Sequence, residues 1–108
     1  MPEDAELIAR VRDALAEVPA VEERRMFGSL GFLVGGTLRL GVGTNPDHVM
    51  LVRAGSTWEE QLERPGANPA IMRGRVMTGW LFLERRAVET DEDLAHWVSL
   101  ALASVPAP

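Results

Sequence analysis

Apolar residues recur in the first stretch at Leu7, Ile8, Val11, Leu15 and Val18, offsets of 1, 4, 8 and 11 that trace one face of a 3.6-residue period. The spacing predicts an amphipathic helix from about Glu3 to Val18. Glu3, Asp4 and Glu6 complement the positive end of its dipole, Glu6 precedes Arg10 by one helical turn on the exposed side, and Pro19 ends the run. Val21-Glu22-Glu23 reads as a linker. From Arg24 to Thr44 the period shortens to two, and this stretch reads as a hairpin: Phe32 to Val34 and Leu38 to Val42 flank Gly35-Gly36, a two-residue turn whose positive φ matches the twist of paired strands. Leu38, Leu40 and Val42 alternate with Arg39, Gly41 and Gly43, so one face of the second strand is predicted to be buried and the other nearly bare. Asn45-Pro46-Asp47 is a turn, and His48 to Arg53 completes a three-stranded antiparallel meander.

Ser56-Thr57-Trp58-Glu59 has the capping-box form and predicts a short helix to about Glu63, with Trp58 and Leu62 on one side. Arg64-Pro65-Gly66 stops it. Pro65 to Pro69 reads as a loop, Ala70 to Met72 as a short strand, Gly74-Arg75 as a tight turn, and Val76 to Glu84 as a longer strand in which Trp80, Leu81, Phe82 and Leu83 suit burial on both faces. Thr90 caps a last helix opened by Asp91, Glu92 and Asp93 and ended by Pro106; Leu94, Trp97, Val98, Ala101 and Leu102 form its core-facing stripe. The order is α-β-β-β-α-β-β-α, an α+β class with an antiparallel sheet and helices packed on one face.

Composition narrows the function classes. The 108 residues, 46 % hydrophobic and 25 % charged, suit one soluble domain over 1–108. No apolar run approaches the ~20 residues that span a bilayer, and the acidic start lacks the form of a signal peptide, so no membrane association and a cytoplasmic location are expected. The absence of cysteine excludes disulfides, thiol catalysis and thiolate metal sites. All 11 basic residues are arginine, which fits either anion recognition or codon use in a GC-rich genome. Net charge is −5 over residues 1–23, +4 over 24–86 and −4 over 87–108. Acidic ends therefore flank a basic middle.

Catalytic motifs fail on inspection. Phe27-Gly28-Ser29-Leu30-Gly31 resembles a nucleophile elbow, but phenylalanine stands where that motif needs glycine. Gly41-Val42-Gly43 opens like a dinucleotide fingerprint, yet no helix follows it. His48 and His96 share no ligand spacing, and Asp91-Glu92-Asp93 is accounted for by the helix dipole. No cofactor, metal or catalytic activity is expected. One cluster stands out: Arg24, Arg25, Met26 and Phe27, with Arg73 and Arg75 beside Trp80. Arginine near aromatic and Met side chains is a binding-surface composition; alternatively Met26, Phe27 and Trp80 are core and the arginines snorkel.

Met26-Phe27-Gly28, with Gly31 and Gly36, resembles the N-terminal domain of TfoX/Sxy proteins, bacterial competence regulators with many stand-alone relatives. Three further stretches are similar: Asp47 to Arg53, the segment Gly74-Arg75-Val76-Met77-Thr78-Gly79-Trp80, and Asp91 to Val98 with its Trp97. The likeness covers nearly the whole chain. It implies the α+β order above and a domain without a known active site; ending at Pro108, the chain is expected to be a stand-alone member without the regulators' C-terminal helical domain. The leading expectation is a non-catalytic regulatory or protein-interaction domain with a protein partner. A nucleic-acid-binding module using the arginine-rich middle is the alternative, disfavoured by the net charge of −5, and a small enzyme comes third. Short sheet edges, three Trp and five Met also suggest a twofold homodimer.

Overall fold

The stripe of Leu7, Ile8 and Val11 is buried along helix α1, Ala5–Ala14, in the computed structural model, which describes residues 4–26, 28–45 and 47–104. Phe27, Pro106 and the Glu3 start of the predicted helix lie outside the described residues. Asp4 caps α1: one carboxylate oxygen accepts the Leu7 amide at 3.1 Å and the other accepts the Arg85 guanidinium at 2.7 Å. Beyond Ala14 the chain tightens into turns, and Leu15 remains buried.

Six antiparallel strands form among the described residues: β1 (Val21–Met26), β2 (Ser29–Val34), β3 (Thr37–Asn45), β4 (His48–Arg53), β5 (Ala67–Met72) and β6 (Arg75–Leu83), in the order β1-β2-β3-β4-β6-β5. This is the predicted α+β class with one strand added. The added strand, β1, starts in the predicted linker and has no apolar alternation, because Glu22, Glu23, Arg24 and Arg25 are all exposed. Backbone pairing with β2 holds it, and its charges suit a sheet edge. The Gly35-Gly36 turn forms as predicted, with φ of +61° and +83°.

Helix α2 spans only Trp58–Gln61 and follows a single 3₁₀ turn, Gly55–Thr57. The capping box does not form: neither N-terminus has a side-chain cap, and the Thr57 hydroxyl donates instead to the Ala54 carbonyl. The Pro65–Pro69 segment is also not wholly a loop. Residues 67–69 begin β5, and Pro69 is tolerated because β5 is an edge strand that need not supply every amide to the ladder. The β5–β6 turn is Arg73-Gly74, one residue earlier than predicted, since these two carry the positive φ, +53° and +75°.

Helix α3, Asp91–Ala103, is capped by Thr90, whose hydroxyl accepts the Asp93 amide at 3.0 Å. Leu94, Trp97, Val98 and Ala101 are buried, and the Trp97 indole donates to the Ala87 carbonyl at 2.8 Å. These residues join α1's stripe and the sheet's Leu30, Phe32, Leu40, Val42, Met50, Val52, Leu81 and Leu83 in one core. Trp58 and Leu62 pack against the same core, and Gln61 bonds His96 of α3 at 2.9 Å, so the helices share one face. Burial of His96 there, with Arg64 nearby, lowers its pKa against the opposing pull of Asp93.

Two expectations. Leu81 is fully buried at the centre of the core, so Leu81→Ala should cost about 2–5 kcal/mol in urea-unfolding free energy. The Leu7 amide, and then Arg85, hold the Asp4 carboxyl below its ordinary pKa, so its stabilisation is complete above the ordinary carboxylate range and is lost as pH falls through the folded value. Asp4→Asn, which keeps a capping oxygen, should be less stable than the parent at about pH 7, with the deficit closing towards about pH 3. A deficit unchanged across that range would show that the Asp4 charge contributes nothing.

Candidate functional site

Residues that alternate with the core positions point away from the helices. One cross-strand row on that open face is Arg24, Gly31, Gly41, Leu51, Phe82 and Asn68, neighbours in register from β1 to β5. Its middle carries no side chain. Gly31 and Gly41 stand opposite each other, and with Gly43 they floor a cavity of about 670 Å³, within the size range of ligand and partner pockets. The floor has little room for more: a Cβ on Gly31 would come within 2.9 Å of the Leu38 side chain, and one on Gly41 within 3.3 Å of the Leu30 carbonyl oxygen.

The walls are apolar. Leu38 belongs to them by a register shift: Phe32 pairs Leu40 and Leu33 pairs Leu38, which leaves Arg39 as an extra residue in β3. Leu38 therefore lines the open face, contrary to the alternation expected from sequence, and the Arg39 guanidinium turns to the helix side and donates to the Ser104 carbonyl. A second irregularity lies in β6, where Met77 and Trp80 both line the cavity although three residues apart. Gly79, at φ +93°, breaks the alternation between them. Phe82 is only half-buried, so β6 is not buried on both faces as predicted; its outer face is the cavity wall.

Polar contacts fix the aromatic walls. The Trp58 indole donates to the Trp80 carbonyl at 2.7 Å, and the Arg53 guanidinium lies 5.4 Å from the Trp80 ring centroid. His48 stacks on Phe82, with centroids 4.6 Å apart and planes 13° apart. Near this end Asn68 donates to Glu84 at 2.9 Å; that bond, then Arg86, lowers the Glu84 pKa. No Asp, Glu or Arg is found among the described residues that line the cavity.

The structure divides the predicted surface. Met26 and Trp80 line the cavity. Arg24 stands at the β1 edge, ion-paired with Glu22 at 2.6 Å, and Arg25 sits at the alternate position of that strand, opposite the core residue Leu30. Arg73 and Arg75 lie at the β5–β6 hairpin on the far side of the sheet, Arg75 opposite the lining residue Met72. Phe27 is outside the described residues. The four arginines therefore form two groups at opposite edges. Of the motif glycines, Gly31 floors the cavity, Gly28 lines it, Gly36 and Gly74 make turns, and Gly79 sets the bulge. In the sequence Met77 carries only the family likeness of the Gly74–Trp80 segment and His48 is a histidine without ligand spacing, while nothing distinguishes Leu51 and Phe82 from core positions. The bare face of Gly41 and Gly43 is the sequence signal for a groove at this place.

Among the described residues no three His, Cys, Asp or Glu side chains gather as a metal site, and no helix is long and apolar enough to cross a membrane. A family model described as the TfoX N-terminal domain matches residues 13–105, nearly the whole chain. No curated protein matches.

The Gly79 backbone can be tested separately from sterics, because a Cβ there would meet only the Gly55 carbonyl oxygen, at 3.9 Å. Gly79→Ala should destabilise by about 1–3 kcal/mol through its positive φ alone, measured by urea unfolding. A neutral substitution would show that the bulge relaxes freely.

Proposed function

The chain belongs to the TfoX N-terminal domain family, and from that premise we propose that it is a non-catalytic interaction domain of the regulatory kind, working through the open face of its sheet. The observation that carries this reading is the glycine-floored cavity walled by Met26, Leu38, Leu51, Met77, Trp80 and Phe82. Monomeric proteins rarely leave contiguous apolar surface open to water without a binding role, and Met and aromatic walls are enriched where proteins meet.

Two polar groups bordering the cavity support the non-catalytic reading. A serine nucleophile needs its hydroxyl bonded to a base, and the Ser29 hydroxyl donates to the Met26 carbonyl instead, at 3.0 Å. The imidazole of His48 is engaged by its face against Phe82. These groups shape and border a binding surface.

The test is affinity capture from the source cell, comparing the parent with Gly41→Val, which fills the floor, and Leu51→Glu, which places a charge in the wall. Proteins retained by the parent should fall about tenfold or more with both variants, as for loss of interface hot spots, while melting temperatures confirm that both variants fold. An identical protein set on parent and variants would overturn the reading. So would measurable turnover of a substrate abolished by the same two substitutions.

A further inference from the structure

We infer that the occupant of this groove is a short segment of a partner protein in which apolar anchor side chains stand beside carboxylates; the inference rests on the open face being the interaction surface. Three observations carry it.

The apolar lining reaches the edge of the sheet. Ile71 of the edge strand β5 lines the cavity and is 52 % exposed. The apolar lining thus runs from the glycine floor to the edge strand β5, a shape that suits a chain segment better than a compact small molecule. Met26, Met72 and Met77 border it. Their unbranched, polarisable side chains adapt to differing anchors, the property of surfaces that accept more than one sequence.

Charge selects the segment. Arg10, Arg12, Arg24, Arg85 and Arg86 each pair with a carboxylate. Arg53, Arg73 and Arg75 have no carboxylate partner among the described residues, and all three border one end of the groove: Arg53 over Trp80, Arg75 opposite Met72, and Arg73 at the adjoining turn. Within a chain of net charge −5, three unpaired arginines at one end of an uncharged groove make a local complement for carboxylates set next to apolar anchors.

Single-stranded nucleic acid fits less well. Such strands bind by stacking bases on free aromatic faces along a basic track. Here Phe82 is already stacked by His48 and Trp80 is covered by Arg53, while the centre of the face is glycine, leucine and methionine.

The experiment pans a phage-displayed library of random dodecapeptides on the full chain, then measures binding of synthesised, enriched peptides by calorimetry. The expected sequences place two or more of Leu, Met, Phe and Trp within a few positions of Asp or Glu. Their binding should be abolished by Gly41→Val and by Leu51→Glu, weakened roughly two- to fivefold by each of Arg53→Ala and Arg75→Ala, and weakened by salt. Enriched peptides that need the groove but carry no carboxylate and ignore both arginine variants would overturn this inference and leave the proposed function standing. Failure to enrich any groove-dependent peptide also overturns it. Saturable, salt-sensitive binding of labelled oligouridine that both groove variants abolish, without any such peptide, would overturn the inference and the proposed function together.

Discussion

The pairing register of β2 with β3 is the constraint on which the rest of this structure depends. The Gly35-Gly36 turn, with both residues at positive φ, starts the ladder at Val34 and Thr37, and burial of Leu30, Phe32, Leu40 and Val42 holds it. Because side chains alternate between faces, a slip by one residue would bring Gly31 and Gly41 into the core and push Phe32 and Leu40 into water. The cost of that exchange pins the register. The same register sets the glycines opposite each other on the outer face, so the stability of the core and the emptiness of the groove have one cause.

Helices then cover only one side of the sheet. The ends of α1 and α3 are tied down by ion pairs, Asp4 with Arg85 and Arg10 with Asp91, at 2.7 and 3.5 Å. Arg12 grips Glu23 of β1 with two bonds, at 2.8 and 2.6 Å, and lowers that carboxyl's pKa. Exposed pairs of this kind contribute little each. They connect α1 to the Arg85 turn, to α3 and to β1. They also answer part of the charge asymmetry: acidic Asp4 reaches the basic middle of the chain at Arg85, although Asp91 finds its partner in the first helix.

On the opposite face two local irregularities convert a pleated surface into a groove. The extra residue at Arg39 moves Leu38 over Gly31, and the left-handed backbone at Gly79 brings Met77 and Trp80 to the same side. Bulges re-aim side chains in this way and are over-represented beside functional sites. Without them Leu38 would lie on the side of Leu40, and Met77 on the side opposite Trp80.

Much of the fold was legible along the chain because its signals are local. The 3.6-residue stripes of α1 and α3, the Thr90 cap, the glycine turn and the alternation through Leu40 and Val42 depend on residues within a turn or a strand of one another. Family membership was legible for the same reason, through short motifs in order. β1 was not, since a charged edge strand is defined by the backbone of its neighbour and not by its own pattern. Nor could the sequence place Pro69 in a strand, because only the sheet order makes β5 an edge. The site divides along the same line. Met26, Trp80 and the bare positions Gly41 and Gly43 could be picked out as residues, whereas the separation of Arg24 from Arg75 and the contact of His48 with Phe82 were decided by strand order and register, which arise from long-range pairing that no local pattern encodes.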